Sequence, residues 1–278
     1  MRSSLESSSS TKLDRSASEG NGAEMSATLG RVINSNPFRL ALGGLGALAA
    51  GLGIGRFVYT PILPVMVQAL GLTTAEAGLI ASANFLGYLA GALAARSRHI
   101  RGSRRTWLLI ALAVNGVAIV AMGTTTALAH HLMLRFVGGG ASAFILVFAS
   151  SLVLDSPTAG DGTSSVHFAG VGFGIIISAA TVAFLCYFGV SWRWLWFVNG
   201  VTCILLLAAV ASLILDGHGA PALRVSESHD RLPLKLRLLV AAYGLFGFGY
   251  VITATFLVAI VRRSQAIDRK STRLNSSH

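Results

Sequence analysis

The sequence predicts an all-α membrane protein. Of its 278 residues, 53% are hydrophobic and only 12% are charged, whereas a typical soluble domain has about a quarter charged residues. The apolar residues fall in blocks of roughly twenty, the length that a helix needs to cross about 30 Å of hydrocarbon. The basic residues cluster between these blocks. Together the three observations exclude an ordinary soluble protein and predict a bundle of membrane-spanning helices.

The elements follow in chain order. Residues 1–35 are rich in Ser, Gly and Thr without an apolar period, which predicts a disordered leader, with Met25 as an alternative start to Met1. Seven apolar segments come next and are interpreted as spans. Their predicted bounds are 38–66, 75–95, 107–126, 131–153, 166–188, 192–215 and 237–262.

Small residues recur every fourth position in three of these segments, a pattern that lets helices approach closely in lipid. The predicted stripes are Gly43, Ala47, Gly51 and Gly55 in the first segment, Ala83, Gly87, Gly91 and Ala95 in the second, and Gly170, Gly174 and Ser178 in the fifth.

The loops predict the orientation. The loop "RSRHIRGSRR" after the second segment has five arginines, and the loop before the seventh is also basic, whereas the loops after the first and third have no Lys or Arg. The positive-inside bias then places the amino terminus in the cytoplasm of a multi-pass protein of the inner or plasma membrane. The same bias explains the net charge of +11 without a nucleic-acid partner.

The order of elements predicts the domains. Residues 36–215 form a six-helix bundle, 216–236 a cytoplasmic loop, and 237–262 the first helix of a second bundle, because "GLGIGRFVYT" and "GLFGFGYVITAT" resemble a repeat. Residues 263–278 form a truncated end. From Asp268 the tail "DRKSTRLNSSH" resembles a translated sequencing adapter, so we expect the natural continuation to be missing.

Arg56 is the most informative charged residue, because an arginine facing lipid at a helix centre costs about 2.5–3.5 kcal/mol or more. Tyr59 and Thr60 follow three and four positions later, on the same helix face. Pro61 and Pro64 predict a bend or opening just past the arginine, which frees the carbonyls of residues 57 and 60. Arg56 then either lines a cavity or fixes the bundle through backbone carbonyls.

Other polar residues lie at similar depths and predict a polar interior. Arg135, near one end of the fourth segment, either shares this interior or extends to the membrane surface. Gly55 and Gly91 complete the residues expected to break or gate helices. The remaining cavity candidates are Asn84, Tyr88, Asn115, His167, Asn199, Tyr250 and Thr253.

The sequence contains no motif for a carboxylate proton relay, a metal site or catalysis. No Asp or Glu lies inside a segment, and Glu76 at the start of the second is the nearest, so a carboxylate proton relay is not visible. A coupling proton would need His167 or the missing half. Cys186 and Cys203 lack metal-ligand spacing. Catalytic motifs are also absent, and we therefore expect no metal, no cofactor and no enzyme activity.

The motifs carry a resemblance. "GLGIGRFVYTPILPVM", "LRFVGGGASAFILVFASS", "HFAGVGFGIIIS", "WRWLW" and "FGFGYVITATFL" are together similar to the YbfB/YjiJ-type branch of the major facilitator superfamily. The resemblance covers about residues 38–262 and implies a twelve-helix transporter, monomeric when full length, of which about seven helices are present. It implies alternating access and a central cavity lined partly by the first, fourth and seventh helices.

Two motifs qualify the resemblance. In "GALAARSRHIRGSRR" Gly91 and the basic loop match the superfamily motif between the second and third helices, but Ala95 stands where the motif has an acid. In "RFVGGGASA" Arg135 matches an arginine with a proposed proton-linked role, without an acidic partner. The expected function is secondary transport of a small, anionic or exported, organic solute. The alternative is an inactive fragment or a membrane scaffold that transports nothing.

Overall fold

The described residues fold almost entirely into helices. The computed structural model describes residues 36–97, 100, 102–156 and 161–214, together with the isolated positions 234, 238, 239, 242, 245 and 249. The first span is interrupted: an α-helix at Asn36–Leu48, a π-helical segment at Ala49–Ile54, and helices at Gly55–Phe57 and Tyr59–Leu70. The second to sixth spans are helices at Thr74–Ala95, Arg104–Met122, Leu128–Leu154, Asp161–Tyr187 and Trp192–Leu213.

All six spans are long and apolar enough to cross a membrane, which confirms the predicted all-α membrane fold. The predicted leader at 1–35 and the tail at 263–278 lie outside the described residues. So do the loop at 216–236 and the seventh segment at 237–262, apart from the isolated positions given above.

The second span shows why an acidic residue is tolerated at its start. The Thr73 hydroxyl accepts a hydrogen bond from the Glu76 N–H at 3.2 Å, and the Glu76 carboxylate accepts one from the Thr73 N–H at 2.8 Å. This reciprocal arrangement is a capping box, which satisfies two N–H groups that a helix start leaves free. Glu76 therefore has a structural explanation at the helix end.

The predicted small-residue stripes lie where helices approach most closely. A side chain added at Gly87 would overlap the Phe136 carbonyl, and one at Gly91 would overlap the backbone of Gly140. These two contacts hold the second span against the fourth. Gly170 and Gly174 in the same way meet the backbone of the first span, near Leu45 and Ala49. Since the obstacles are backbone atoms, the stripes set the helix separations.

The first span lies at the centre of the bundle. In the most apolar 18-residue stretch of this span 78% of the residues are buried, compared with 22% in the corresponding stretch of the fifth span. The first span's own large side chains Ile62 and Met66 are fully buried, as is Trp196 of the sixth span. The interrupted helix is therefore surrounded by protein, as irregular backbone at membrane depth requires.

Arginines hold one end of the bundle together, which we call the Arg104 end. Arg39 donates to the Ser212 carbonyl at 2.9 Å, and Arg105 donates to the carbonyls of Ala211, at 2.9 Å, and Ile214. These carbonyls belong to the last turn of the sixth span and the residue after it, where a helix leaves acceptors free. Arg104 forms an ion pair with Asp155 after the fourth span, at 2.9 Å.

Candidate functional site

The interruption of the first span is the centre of the candidate site. The Gly55 N–H bonds to the Ala50 carbonyl, five residues back, as in a π-turn. Val58 follows Phe57 with helical backbone angles, φ −59° and ψ −26°, and its N–H bonds to the Ile54 carbonyl at 3.0 Å. Pro61 follows and has no N–H with which to bond the carbonyl four residues before it. The predicted opening past Arg56 is not found, because the Ile62 N–H lies 3.4 Å from the Val58 carbonyl and the helix continues through Pro64. The irregular backbone is instead the π-helical segment before Arg56, which the prolines did not predict.

Polar side chains from three other spans donate to the carbonyls of this segment. Asn115 Nδ2 lies 3.1 Å from the Ala50 oxygen, and Cys203 Sγ lies 3.6 Å from the same oxygen. The Ser142 hydroxyl donates to the Gly51 carbonyl at 2.7 Å. Each donor is fully buried. Because hydrocarbon offers no hydrogen bonds, these side chains take the place of water at the interrupted helix.

Arg135 binds the interruption directly. Its side chain is 5% exposed, and its two terminal nitrogens each lie 3.1 Å from a carbonyl oxygen, one of Gly55 and one of Arg56. Its guanidinium carbon lies 5.1 Å from the centre of the Tyr59 ring. Of the two alternatives left open by the sequence, the structure therefore places Arg135 in the interior and not at the membrane surface.

Arg56 packs against aromatic side chains of the second span. Its guanidinium carbon lies 4.6 Å from the ring centres of both Phe85 and Tyr88. Contacts of this kind attract a cation to the negative face of the ring. The side chain is half-buried, so that the arginine is held on an aromatic surface and keeps part of its own surface open.

The Tyr59 side chain is buried and makes contacts within the bundle. Its hydroxyl donates to the Ala77 carbonyl of the second span at 2.9 Å, and its ring lies 6.4 Å from that of Trp196. Thr60 is half-buried. Arg56, Tyr59 and Thr60 therefore do not form one shared set of donors, as their helix spacing predicted. Arg56 and Tyr59 both face the second span, but the tyrosine hydroxyl already has an acceptor there.

The other predicted residues fall into two groups. Asn84 donates to the Arg135 carbonyl at 3.0 Å, so Asn84, Tyr88, Asn115 and both arginines surround the interruption. His167, on the fifth span, lies elsewhere. Its ring is 3.1 Å from the Ser150 hydroxyl and packs against Gly44, which belongs to the regular helix before the π-segment. Asn199 donates to Leu195 within its own helix. Tyr250 and Thr253 lie outside the described residues.

The predicted gating glycines have packing roles in this structure. A side chain at Gly55 would lie 2.6 Å from Asn115 Nδ2, and Gly91 meets the backbone of Gly140. Gly55 therefore allows Asn115 to reach the interrupted helix. Sequence reasoning missed the donors Ser142 and Cys203 and the aromatic support from Phe85. A serine in the small-residue run "GGGASA" was the available signal for Ser142.

The electrostatics of the site are one-sided. Two guanidinium groups lie at the interruption, and Arg135 donates to the backbone of Arg56 itself. The acidic residues that the structure describes are Glu76 in a first turn and Asp155 and Asp161 at span ends. The described carboxylates thus lie at the ends of spans, whereas both guanidinium groups lie at the interruption. Such a site favours an anion.

Comparison with known proteins gives two findings. The family model described as "Uncharacterised MFS-type transporter YbfB" matches residues 48–272. A relative from Bacillus subtilis (strain 168), named "Uncharacterized MFS-type transporter YceJ", is 26% identical over 220 residues, which is 74% of this chain and 54% of the relative. The chain thus spans about half the length of this curated relative.

Proposed function

Since the chain belongs to the family of YbfB-type MFS transporters, we propose that it moves a small organic solute across the membrane by alternating access, along a path beside the first and fourth spans. The family is one of membrane transporters and not of enzymes. The observation that supports the path is the interrupted first span at the centre of the bundle, held by the Arg135 side chain of the fourth span. Interrupted helices at membrane depth are typical of transporter binding sites.

We further propose that the solute is an anion, with a carboxylate or phosphate group. Arg56 and Arg135 bring two positive charges to the interruption, and clustered charges of one sign attract a solute of the opposite sign. Arg56 is the better candidate for direct recognition, because stacking on Phe85 and Tyr88 orients its planar group while the side chain stays half-buried. A guanidinium binds planar anionic groups through two parallel hydrogen bonds. Arg135 instead supplies a fixed charge behind it.

The remaining parts of the proposal concern the whole protein. This chain spans about half of its relative, so we expect the second half to complete the cavity, and the isolated 278-residue chain to insert without transporting. The Arg104 end, with the amino terminus, would face the cytoplasm of the inner or plasma membrane. We also propose a monomer, with His167 or the second half as the carrier of any coupling proton.

Two substitutions of Arg56 test the binding role in the full-length protein. Arg56→Lys keeps the charge but loses the planar group, so uptake should fall sharply. Arg56→Met should abolish uptake with little loss of folded protein, since removing a buried charge need not destabilise a bundle. Uptake of labelled organic acids and of their uncharged amides by proteoliposomes provides the measurement, together with membrane yield and melting in detergent.

Arg193→Met is a matched control. Arg193 also lies over an aromatic ring, 5.2 Å from the centre of Trp192, and donates to a carbonyl, that of Gly123 at 3.2 Å. It lies at the start of the sixth span, away from the interruption, and its loss should leave uptake unchanged. Normal uptake by Arg56→Met would contradict the binding role. Uptake of the amides in preference to the acids would contradict the anionic class and leave transport intact.

A further inference from the structure

Asn115 of the third span lies beside two glycines that leave its side chain unequal room. Its amide packs against Gly55 of the first span, where an added Cβ would lie 2.6 Å from Nδ2 and 2.7 Å from Oδ1. The amide oxygen also lies near Gly138 of the fourth span. The nearest described atoms to a Cβ added there would be Asn115 Oδ1 and the Ala118 Cβ, both at 3.9 Å. The packing at Gly55 is therefore tight, whereas Gly138 has space for a methyl group beside it.

This space lies inside the bundle. Gly138 is buried, and the Asn115 side chain is 0% exposed. The next residue of the same run is packed differently, because a Cβ added at Gly139 would overlap the Asn84 carbonyl. Protein interiors are closely packed, so room for a methyl group beside a buried glycine is unusual.

Two polar atoms close to this space have no hydrogen-bond partner among the described residues. Asn115 Nδ2 donates to the Ala50 carbonyl at 3.1 Å, which turns the amide oxygen away from that carbonyl and leaves Oδ1 buried without a donor. The Arg135 side chain uses both terminal nitrogens on the carbonyls of Gly55 and Arg56. Its Nε–H is buried without an acceptor. Buried polar groups in proteins are nearly always paired, so both atoms need an explanation.

The two atoms are complementary. An amide oxygen only accepts hydrogen bonds and a guanidinium Nε–H only donates one, yet Asn115 Oδ1 and Arg135 Nε do not bond each other. Both side chains meet the first span at Gly55, Asn115 beside its Cα and Arg135 at its carbonyl. Gly138 follows Arg135 by three positions, on the same face of the fourth span. A donor, an acceptor and a space thus converge on one place.

We propose that one water molecule is bound at this place, accepting a hydrogen bond from Arg135 Nε and donating one to Asn115 Oδ1. Water is close to a methyl group in size and supplies both functions, and buried waters occur where polar groups have no other partner. Leaving both groups unpaired would cost more free energy than immobilising a water. An anion would be repelled by the amide oxygen and a cation by the guanidinium. This inference does not depend on the transported solute.

Gly138→Ala in the full-length protein tests the proposal, because the new methyl group would take the space of the water. Its displacement would leave Asn115 Oδ1 and Arg135 Nε unpaired, so the melting temperature in detergent should fall by several degrees. Without a bound water, the same substitution should raise the melting temperature, since alanine favours a helix more than glycine does. Gly140→Ala is the matched control. Its Cβ would lie 3.5 Å from the Gly87 carbonyl oxygen, an ordinary contact, and its melting temperature should be unchanged or higher.

Two further measurements distinguish the loss of a water from a steric clash. Asn115→Leu removes the acceptor with little change of shape, so in that background Gly138→Ala should lower the melting temperature less than it does in the wild type. A clash would lower it equally in both. A density map that resolves ordered waters should show a peak within hydrogen-bond distance of Asn115 Oδ1 in the wild type and none in Gly138→Ala. An unchanged or higher melting temperature for Gly138→Ala, an equal effect in both backgrounds, or a wild-type map without the peak would overturn the inference.

Discussion

Arginines bind backbone carbonyls both at the Arg104 end and at the interrupted first span, but in different surroundings. At the Arg104 end, Arg39 and Arg105 use carbonyls that the end of the sixth span leaves free, and Arg104 has Asp155 as an acidic partner. At the interruption, Arg135 uses the Gly55 and Arg56 carbonyls within a membrane-spanning segment. Within the described residues, no carboxylate is paired with it.

The comparison distinguishes arginines with a structural role at a helix end from an arginine with an expected functional role inside the membrane. Arginines at a helix end are explained by the free carbonyls there and by the orientation of the protein in the bilayer. An interior arginine is more costly, and the acceptors of Arg135 lie directly after a π-segment and shortly before a proline. We therefore expect substitutions at the interruption to affect transport and substitutions at the Arg104 end to affect stability alone, by modest amounts.

The largest expected effect tests whether the scaffold behind the interruption is rigid. Gly87→Val should destabilise the protein by more than about 3 kcal/mol, because the added side chain meets the backbone of Phe136 and not a movable side chain. Folded yield in detergent should collapse. Gly172→Val is the control and should fold normally, since no described atom lies within 4 Å of a Cβ added at Gly172. Equal yields of the two variants would show that the second and fourth spans can separate freely.

Arg135→Met tests the interior arginine. Two buried carbonyls lose their donor, which should lower the apparent free energy of unfolding by about 2 kcal/mol even after the relief of a buried charge. Uptake should be lost. Arg135→Lys keeps the charge and can reach one carbonyl, so its melting temperature should lie between those of the wild type and of Arg135→Met. A wild-type melting temperature for Arg135→Met would mean that the guanidinium does not hold the interruption.

Arg105→Gln tests the Arg104 end. The arginine donates to two carbonyls at the end of the sixth span, where water and a shorter amide can replace it in part. We expect a loss of about 1 kcal/mol in the apparent free energy of unfolding and unchanged uptake per folded molecule. Thermal melting and uptake normalised to folded protein are the measurements. A fall in uptake per folded molecule would remove the distinction between the two regions.

Asp155→Asn should have the smallest effect. The Asp155 side chain is 54% exposed, and exposed ion pairs contribute about 0.2–1 kcal/mol. The loss should shrink further at high salt, because screening already weakens the pair. Melting at low and high ionic strength checks this. A large, salt-independent loss would instead show that Asp155 acts mainly through its hydrogen bond with the Ser151 hydroxyl at 3.1 Å.

The sequence predicted the six described spans and several of their contacts, because these depend on local patterns. Blocks of twenty apolar residues are hard to explain except as spans. Gly87 and Gly91, at helical spacing, correctly indicated a close helix contact. Arg56 was identified because its charge is exceptional in its surroundings. These predictions needed only neighbours in the sequence.

The partners across the bundle could not be predicted in the same way. The contact between Arg135 and Gly55 joins residues 80 positions apart, and no local pattern encodes it. Ser142 and Cys203 look like ordinary small residues until the Gly51 and Ala50 carbonyls lie beside them. The π-segment was missed for a related reason, since its sequence "AAGLGI" is also compatible with a regular helix, and packing against the other spans decides between the two.

The π-segment also fixes the rotational register of the first span. Such a segment differs from an α-helix by one additional residue, and each residue of an α-helix turns the chain by about 100°. Deleting one residue between Ala49 and Ile54 would therefore rotate everything after it by that angle. Arg56 would leave the rings of Phe85 and Tyr88, and Tyr59 would leave the Ala77 carbonyl, although no contacting side chain had changed. Uptake should then disappear while membrane insertion persists, so a single residue of chain length sets which side of the first span faces its neighbours.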